Sequence, residues 1–303
     1  MEGRIRHARA GVTGSMWAVA SGMGFGIFQV LNRRALTGID DAYLATFVQL
    51  VVAALVLVAA AIATQDLALL GDATTWSLLA FAAAGVVHFL FGWTFLNLSQ
   101  QRIGAARTAP LLTTTPLFGL VIAAVTLGQL PRVAVLLAIA PMVAGAYVLS
   151  GGGSEARGVD AVFGIATAAM WATSAVLTLE ALEGLPSPLL GVTVGMLAAV
   201  PSYAVALLVH RRRQGLGGMA RASFALKIAA AVLLALATWW RLLALDGAAV
   251  GVVLALNLLS VPVTLLLAPL VVGRRLEVVT LRLWVGAALV MTGTLSLIAV
   301  ENA

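Results

Sequence analysis

Apolar runs long enough to cross a lipid bilayer recur along this chain, and they constrain its fold more than any other feature. In the clearest run, Leu50 to Ala63, no residue is polar. A helix needs about 20 predominantly apolar residues to cross the hydrocarbon core. Of the 303 residues, 62% are hydrophobic and 10% are charged, whereas about a quarter of the residues of a soluble domain are charged. The pattern predicts an all-α polytopic membrane protein and excludes soluble, secreted, disordered and fibrous proteins.

Ten runs of this kind predict ten transmembrane helices, which we call the first to tenth spans in chain order. The first run follows three arginines, as in a signal sequence, but it stays apolar as far as Leu31 and is predicted to be a membrane span. The fourth and ninth runs are each interrupted by two prolines. The predicted spans lie near 13–33, 42–64, 76–98, 104–127, 132–150, 160–180, 188–209, 223–245, 247–272 and 279–299.

A glycine-rich segment near the middle of the chain predicts two halves, because such segments are flexible. We predict a first five-helix repeat at 1–150, a glycine-rich linker at 151–158 and a second five-helix repeat at 159–303. Since five is an odd number, the second repeat must be inverted relative to the first. Inverted repeats are typical of secondary transporters that bind substrate near the bilayer midplane. The halves share a small-residue opening, a proline and a final glycine, at Gly104, Pro116 and Gly128 and at Gly247, Pro262 and Gly273.

Charge and residue types exclude several kinds of function. The 18 basic and 12 acidic residues give a net charge of +6, which in a membrane protein indicates loops that meet anionic lipid head groups rather than nucleic acid. The chain has no cysteine, so disulfides, cysteine–zinc sites and thiol nucleophiles are excluded. Neither an ATP-binding loop nor an intramembrane catalytic motif occurs. We therefore predict that the protein is not an enzyme and has no cofactor or metal site.

The distribution of charge along the chain bears on orientation and on energy coupling. The loops after the odd-numbered spans carry 13 basic residues, counting the only lysine, Lys227, and the other side carries 5. The positive-inside rule places the more basic side in the cytoplasm, although the basic N-terminal tail argues the other way. All twelve acidic residues are expected in loops or near span ends. This disfavours a proton-coupled exporter of cations, which generally needs a buried acid.

His88 is the one titratable side chain predicted near the centre of a span. At about 100° per residue, His88 shares a helical face with Phe81, Gly85, Gly92, Phe95 and Ser99. This mixture of aromatic and small residues is typical of a cavity wall. The alternative is a histidine that joins two helices by a single hydrogen bond, and both interpretations stay open.

The tryptophans fall into two groups. Trp76 and Trp284 lie near span ends, where tryptophan prefers the membrane interface. Any single one of the others could simply face lipid. Together they favour stacking surfaces for an apolar or aromatic ligand. This second group comprises Trp17, Trp93, Trp171, Trp239 and Trp240.

Polar side chains gather near the prolines of the fourth and ninth spans. Proline frees a backbone carbonyl one turn earlier, and Thr115 is expected to satisfy such a carbonyl. Thr113, Asn257 and Ser260 are predicted to bind the polar end of a substrate. Interhelical hydrogen bonds are expected from the other deep polar residues, Gln29, Gln49 and Asn97.

This arrangement resembles the drug/metabolite transporter superfamily in its ten-helix, EamA-type form, over nearly the whole chain. The resemblance implies export of small metabolites, commonly amino acids, by alternating access, and it is nearest to the bacterial aromatic amino acid exporters of the YddG type. Family members often carry glutamate after the helix-end glycine, where this chain has Gln129 and Arg274. The resemblance rests on two copies of one pattern, at Gly104, Pro116, Gly128 and Gly145 and at Gly247, Pro262, Gly273, Gly286 and Gly293.

We therefore predict a monomeric secondary transporter that exports neutral or aromatic amino acids across the bacterial inner membrane by alternating access. Its partners would be a small-molecule substrate and the lipid bilayer, not nucleic acid. The alternatives are a drug or organic-cation exporter of the same fold and a non-transporting membrane protein. The predicted substrate-binding residues are Trp17, His88, Phe95, Thr113, Trp171, Trp239, Asn257 and Ser260. The predicted hinge residues are Pro116, Gly119, Pro262 and Pro269.

Overall fold

The computed structural model describes residues 2–127, 133–149, 155–214, 217–248 and 250–301. This part of the chain folds into helices and contains no β-strand, apart from one isolated bridge between Ile39 and Met219. The predicted all-α class is thereby confirmed. Residues 151–154 of the predicted linker, together with Gly128 and Gln129, lie outside the described residues. Residues 155–158 of that linker instead begin the sixth span.

Most spans are single helices. Within the described ranges, eight helices are long and apolar enough to cross a membrane, and Val133–Leu149 is a shorter apolar helix. A short helix at Leu69–Asp72 lies in the loop after the second span. The first, second and fifth to eighth spans are Glu2–Leu36, Ala42–Thr64, Val133–Leu149, Glu155–Leu182, Pro188–Gln214 and Arg221–Gly247, and the tenth is Leu281–Glu301.

The fourth span breaks just before Pro116, and the ninth breaks just before Pro262. Proline cannot donate a backbone hydrogen bond, and its ring disfavours helical geometry at the residue before it. At the break in the fourth span, the hydroxyl groups of Thr113 and Thr115 donate to the carbonyls of Pro110 and Leu112, both at 2.7 Å. The fourth span comprises Ala105–Leu112 and Thr115–Leu127, and the ninth comprises Val250–Asn257, Ser260–Ala268 and a π-helical turn at Pro269–Gly273.

The third span contains a π-helical segment at its centre. It runs as Thr75–Gly85, then the π-helix Val86–Gly92, then Trp93–Ile103. A π-helix has more residues per turn than an α-helix. The helical face predicted for His88 from a constant spacing of about 100° per residue is therefore not present. Phe81 and Gly85 pack against glycines of the seventh span, whereas Gly92 lies against Trp171 of the sixth. The prediction that Phe81 and Gly85 share a face with His88 is therefore wrong.

Each half of the chain packs mainly against the other half. The first span lies antiparallel to the eighth, with Gly14 beside Gly247 and Gly38 beside Ser223. The third span packs in the same way against the sixth, and the fifth against the tenth. Small residues let these helix backbones approach closely, as is usual in membrane bundles. The main buried core lies among the second, third, sixth, seventh and eighth spans.

One end of the bundle collects most of the charged side chains, and we call it the basic end. Here segments 36–42, 210–214, 217–221 and 273–281 meet the ends of their neighbours. The bridge between Ile39 and Met219 lies at this end. So does an ion pair between His210 Nε2 and Asp41 Oδ2 at 3.3 Å. The opposite end of the bundle contains the start of the first span, near Gly14, and the end of the eighth span, at Gly247.

Candidate functional site

A compact group of rings lies halfway along the third and sixth spans, and we call it the aromatic cluster. The His88 ring stacks on Trp171 at a centroid distance of 5.3 Å and an interplanar angle of 7°. His88 Nδ1 lies 2.9 Å from the hydroxyl of Ser174. Phe89 and Trp93 meet the His88 ring edge-on at centroid distances of 4.8 and 6.4 Å. The cluster comprises His88, Phe89, Trp93, Trp171 and Ser174.

The aromatic cluster has one polar atom without a partner. The indole Nε1 of Trp171 is buried and has no hydrogen-bond acceptor among the described residues. A Cβ at Gly92 would lie 2.9 Å from this nitrogen, so glycine is the residue that lets the indole pack this closely against the third span. An unpaired donor of this kind is costly in an apolar interior. It is therefore a point at which a polar ligand atom would be stabilised.

A second group of predicted residues lies between the first, eighth and ninth spans. The Ser21 hydroxyl is 2.9 Å from both Asn257 Oδ1 and the carbonyl of Ala237. Asn257 Nδ2 in turn donates to the carbonyl of Val253 at 3.0 Å. Trp17 stacks on Trp240 at 6.5 Å and is 37% exposed. This group joins Asn257 to the helix of Trp17, but none of its described contacts reaches the aromatic cluster.

The remaining predicted binding residues are dispersed. Phe95 contacts Phe163 at a ring distance of 6.1 Å, towards the basic end. The Thr113 hydroxyl bonds to its own helix, and its carbonyl accepts from Thr294 at 3.3 Å. Trp239 packs against the main core. The carbonyl of Ser260 accepts from Thr264 at 2.7 Å. The structure thus joins His88 with Trp171 and does not gather the whole predicted set around one cavity.

The predicted hinge residues lie at breaks in their helices. Pro116 follows the break between Leu112 and Thr115, and Pro262 follows the break between Asn257 and Ser260. Pro269 begins the π-helical turn. Gly119 has open space where a side chain would project. Their role in movement stays a prediction.

A polar network surrounds Lys227 inside the bundle, although sequence analysis counted this lysine among the loop cations. Lys227 is fully buried in the eighth span, six residues from its start. Its Nζ donates to Gln49 Oε1 at 2.6 Å, to Asn97 Oδ1 at 3.0 Å and to Asn32 Oδ1. Counting Lys227 among the loop cations was wrong, because the helix begins at Arg221 and carries the lysine into the bundle. We call the network the lysine cluster; its members are Lys227, Gln29, Asn32, Thr46, Gln49, Asn97 and Gln100.

Amide side chains connect the rest of the lysine cluster. Asn32 Nδ2 donates at 2.8 Å to both Asn97 Oδ1 and Gln100 Oε1. Asn97 Nδ2 donates to the Thr46 hydroxyl at 2.7 Å, and Gln100 Nε2 donates to Gln29. The interhelical hydrogen bonds predicted for Gln29, Gln49 and Asn97 are thereby confirmed. Gln49 Nε2 is buried and has no acceptor among the described residues.

A buried ion pair joins the two halves near the lysine cluster. Arg33 Nε lies 2.9 Å from Glu277 Oε1, and the side chains are 11% and 2% exposed. The same carboxylate accepts the backbone amides of Ala105 and Ala106 at 2.9 and 3.1 Å, which begin the fourth span. Gly104 has φ +83°, and a side chain there would collide with Glu277. The carboxylate thus caps a helix and neutralises a cation at once.

A small cavity opens beside this ion pair. It has a volume of about 160 Å³ and its lining includes three arginines and one carboxylate. It lies at the basic end and contains none of the predicted substrate-binding residues. Within the described ranges, no group of three or more His, Asp or Glu side chains is placed to hold a metal ion. The cavity is lined by Arg33, Arg102, Ile103, Ala106, Arg107, Leu276, Glu277 and Val278.

Comparisons with known proteins agree with this architecture. Residues 12–151 match the model of the EamA-like transporter family. One solved crystal structure of a protein is 17% identical, covers 96% of this chain and 99% of its own chain, and has a TM-score of 0.63. At that identity the likeness concerns the fold alone. No curated protein matches this chain in sequence. The family match covers a little under half of the chain and shows that residues 12–151 are similar to a family of membrane transporters.

Proposed function

We propose that this protein is a secondary transporter that exports neutral, chiefly aromatic, amino acids across a bacterial inner membrane by alternating access. The observation that carries the proposal is the aromatic cluster, in which a half-buried histidine–tryptophan stack lies at mid-depth between two halves of the chain. Stacked rings bind a flat apolar side chain well, and a few polar groups then fix its orientation.

The contacts between spans support two inverted repeats. If the first five spans correspond to the last five, the first–eighth contact corresponds to the sixth–third contact. Both pairs are extensive. The second–eighth contact corresponds in the same way to the seventh–third contact, and both of these occur. The second–seventh and fifth–tenth contacts correspond to themselves and also occur. Such matched contacts are expected when two similar bundles pack about a pseudo-twofold axis.

The polar atoms around the aromatic cluster support an amino acid as substrate. Trp171 Nε1 is a free buried donor, and the Ser174 hydroxyl lies beside His88. A carboxylate accepts hydrogen bonds and an amino group donates them. The cluster therefore offers a surface for the side chain next to groups suited to the polar end. In this proposal Trp171 and His88 contact the substrate, and Phe95, Trp17, Trp239, Thr113, Asn257 and Ser260 form the path on either side.

A drug or organic-cation exporter of the same fold is the second candidate, and charge disfavours it. The buried cation Lys227 lies inside a span, and Arg241 lies over the ring of Phe25 in the same bundle. The buried carboxylate of Glu277 lies between the ninth and tenth spans and is already paired with Arg33. A permanently charged cation would find little attraction inside the described spans.

Counterflow in proteoliposomes tests the proposal. Vesicles that contain the purified protein and one unlabelled amino acid are given the labelled form outside, across a panel of neutral amino acids. Exchange is expected to be fastest for aromatic amino acids and to be lost in Trp171→Ala. Trp284→Ala is the matched control, because Trp284 lies 37% exposed at a span end. Absence of exchange for every amino acid would refute the proposal, and exchange of a quaternary ammonium compound instead would establish the second candidate.

A further inference from the structure

The geometry of the lysine cluster specifies a charged lysine. Three amide oxygens, from Asn32, Gln49 and Asn97, surround the Nζ of Lys227 at hydrogen-bonding distance. An ammonium group has three N–H donors, whereas a neutral amine has two and a lone pair. Lys227 can donate to all three oxygens at once only when it carries its proton.

No carboxylate accompanies this charge among the described contacts of Lys227. A buried cation with only neutral partners is costly, and a membrane protein that keeps one usually uses it. The charged and titratable groups on the neighbouring spans have other partners. Arg33 pairs with Glu277, Asp41 with His210 and Arg102 with Asp160, Tyr203 bonds to Thr94, and Tyr43 stacks on His210. The described residues of the ninth span contain no titratable side chain.

The lysine cluster also joins the two halves at one end. Lys227 belongs to the second half, and its three acceptors belong to the first, second and third spans. The ion pairs Arg33–Glu277, His210–Asp41 and Arg102–Asp160 join the halves at the same end. Opening of the basic end therefore requires that the hydrogen bonds of Lys227 be broken.

We propose that Lys227 binds the proton that is coupled to transport, and that its protonated form holds the basic end closed. This inference rests on the proposed alternating access. When the proton passes to water, the amine keeps two donors and loses its charge. Hydrogen bonds from charged donors are roughly twice as strong as neutral ones, so the contact between the halves weakens.

Gln49 lets the same site tolerate the neutral form. In the charged arrangement its Nε2 has no acceptor. If the Gln49 amide rotates by half a turn, Nε2 donates to the lone pair of the neutral amine, while Asn32 and Asn97 keep their hydrogen bonds to it. The cluster thus has two arrangements, which differ by one proton: the charged one holds the halves through charge-assisted hydrogen bonds, and the neutral one holds them through weaker, uncharged hydrogen bonds. A two-state element of this kind is what coupling between proton binding and opening requires.

Thiol labelling tests the proposal without a substrate, and the natural absence of cysteine makes it direct. Ala231 is fully buried in the eighth span, one helical turn deeper than Lys227 on the same face. Ala222 is exposed at the start of that span. Single variants Ala231→Cys and Ala222→Cys are prepared in lipid nanodiscs and exposed to a membrane-impermeant maleimide. The ratio of their labelling rates cancels the pH dependence of the thiol reaction itself.

With Lys227 present, the labelling rate of Ala231→Cys divided by that of Ala222→Cys is expected to rise by about five- to tenfold between about pH 6 and about pH 9. Opening that is linked to the release of one proton allows a change of this size. In the Lys227→Arg background it should stay low and flat, because guanidinium keeps its charge over this range. In the Lys227→Met background it should be high and flat. Size-exclusion elution and the Ala222→Cys rate report folding of each variant.

Three results would overturn the proposal. The first is a labelling ratio that does not change with pH in the chain with Lys227, and the second is an unchanged pH dependence of that ratio in Lys227→Arg. The third is loss of the pH dependence in His210→Gln, which would assign the titration to the His210–Asp41 pair instead. Should the Lys227 variants fail to fold, the parent chain and His210→Gln still decide between these outcomes. The labelling requires no amino acid, so failure of amino acid counterflow and failure of this inference are separate results.

Discussion

The lysine cluster and the aromatic cluster both lie between the two halves of the chain, yet they are built on opposite principles. Lys227 and its amide partners are fully buried, and almost every donor in that cluster has an acceptor. His88 and Trp171 are only partly buried, and the donor of Trp171 has no partner. Polar groups whose hydrogen bonds are all satisfied within the protein specify how helices pack. A polar group without a partner in the protein can still form a hydrogen bond with a ligand. The comparison predicts that removing an amide acceptor from the first cluster lowers stability, whereas mutations in the second cluster lower transport.

The largest expected effect comes from removing one acceptor of Lys227. Asn32→Leu keeps the branching and the number of side-chain heavy atoms but leaves a donor of the buried ammonium unpaired, and it also removes the donor to Asn97 and Gln100. We expect a loss of about 3 kcal/mol in unfolding free energy, measured by thermal unfolding in detergent. The double variant with Lys227→Met should recover most of that loss, because the uncompensated charge is gone. Additive losses would show that the charge is not the cause.

A somewhat smaller loss is expected at the buried ion pair. Glu277→Gln removes the charge opposite Arg33 and weakens the cap on Ala105 and Ala106. Because the Arg33 side chain is 11% exposed, water partly compensates, and we expect about 2 kcal/mol. Asp160→Asn is the matched control in the exposed pair with Arg102, with an expected change below about 0.5 kcal/mol. Equal shifts in the unfolding midpoint for both variants would contradict the distinction.

Mutations in the aromatic cluster are expected to lower transport and to leave stability nearly unchanged. His88→Ala removes the ring stacked on Trp171. We expect amino acid counterflow to fall by about tenfold, equivalent to about 1.4 kcal/mol, at nearly unchanged expression and monodispersity. If unfolding shifts as strongly as in Asn32→Leu while counterflow per folded molecule is preserved, the histidine joins helices and does not contact substrate.

The smallest effect is expected outside both clusters. Trp284 lies near a span end and is 37% exposed, so Trp284→Ala should change stability by less than about 0.5 kcal/mol and leave counterflow within about twofold of the parent chain. Initial rates and unfolding midpoints measured side by side with His88→Ala check this. A loss comparable to that of His88→Ala would mean that tryptophans matter here regardless of where they lie.

Much of the fold was predictable because apolar runs, prolines and small residues act locally. The long apolar helices, the breaks before Pro116 and Pro262, and the interhelical bonds from Gln29 and Asn97 all follow from residue types along one helix. The burial of Lys227 does not follow from the residue types along its own helix. A lysine six residues into a helix can extend to the surface or point inwards, and only the partners on three other spans decide which. One signal was available: Asn32, Gln49 and Asn97 each lie in an apolar helix near the same end.

The site was predicted less well than the fold, for a geometric reason. His88 and Trp171 were expected to bind the same substrate, and they do touch. The grouping of Phe81 and Gly85 with His88 failed because periodicity assumes a uniform helix. Residues far apart in sequence, such as Ser174 and His88 or Ser21 and Asn257, are brought together by packing between the halves. No pattern within one span contains that information.

The π-helical segment Val86–Gly92 gives the third span two independent neighbourhoods. Residues before it face the sixth and seventh spans, and residues after it face the first, second and sixth. In a helix, displacing a wide turn by one residue rotates everything on one side of it by about 100°. His88 lies within this segment, so a one-residue shift of the π-helical turn would change the direction in which its ring points relative to both ends of the span.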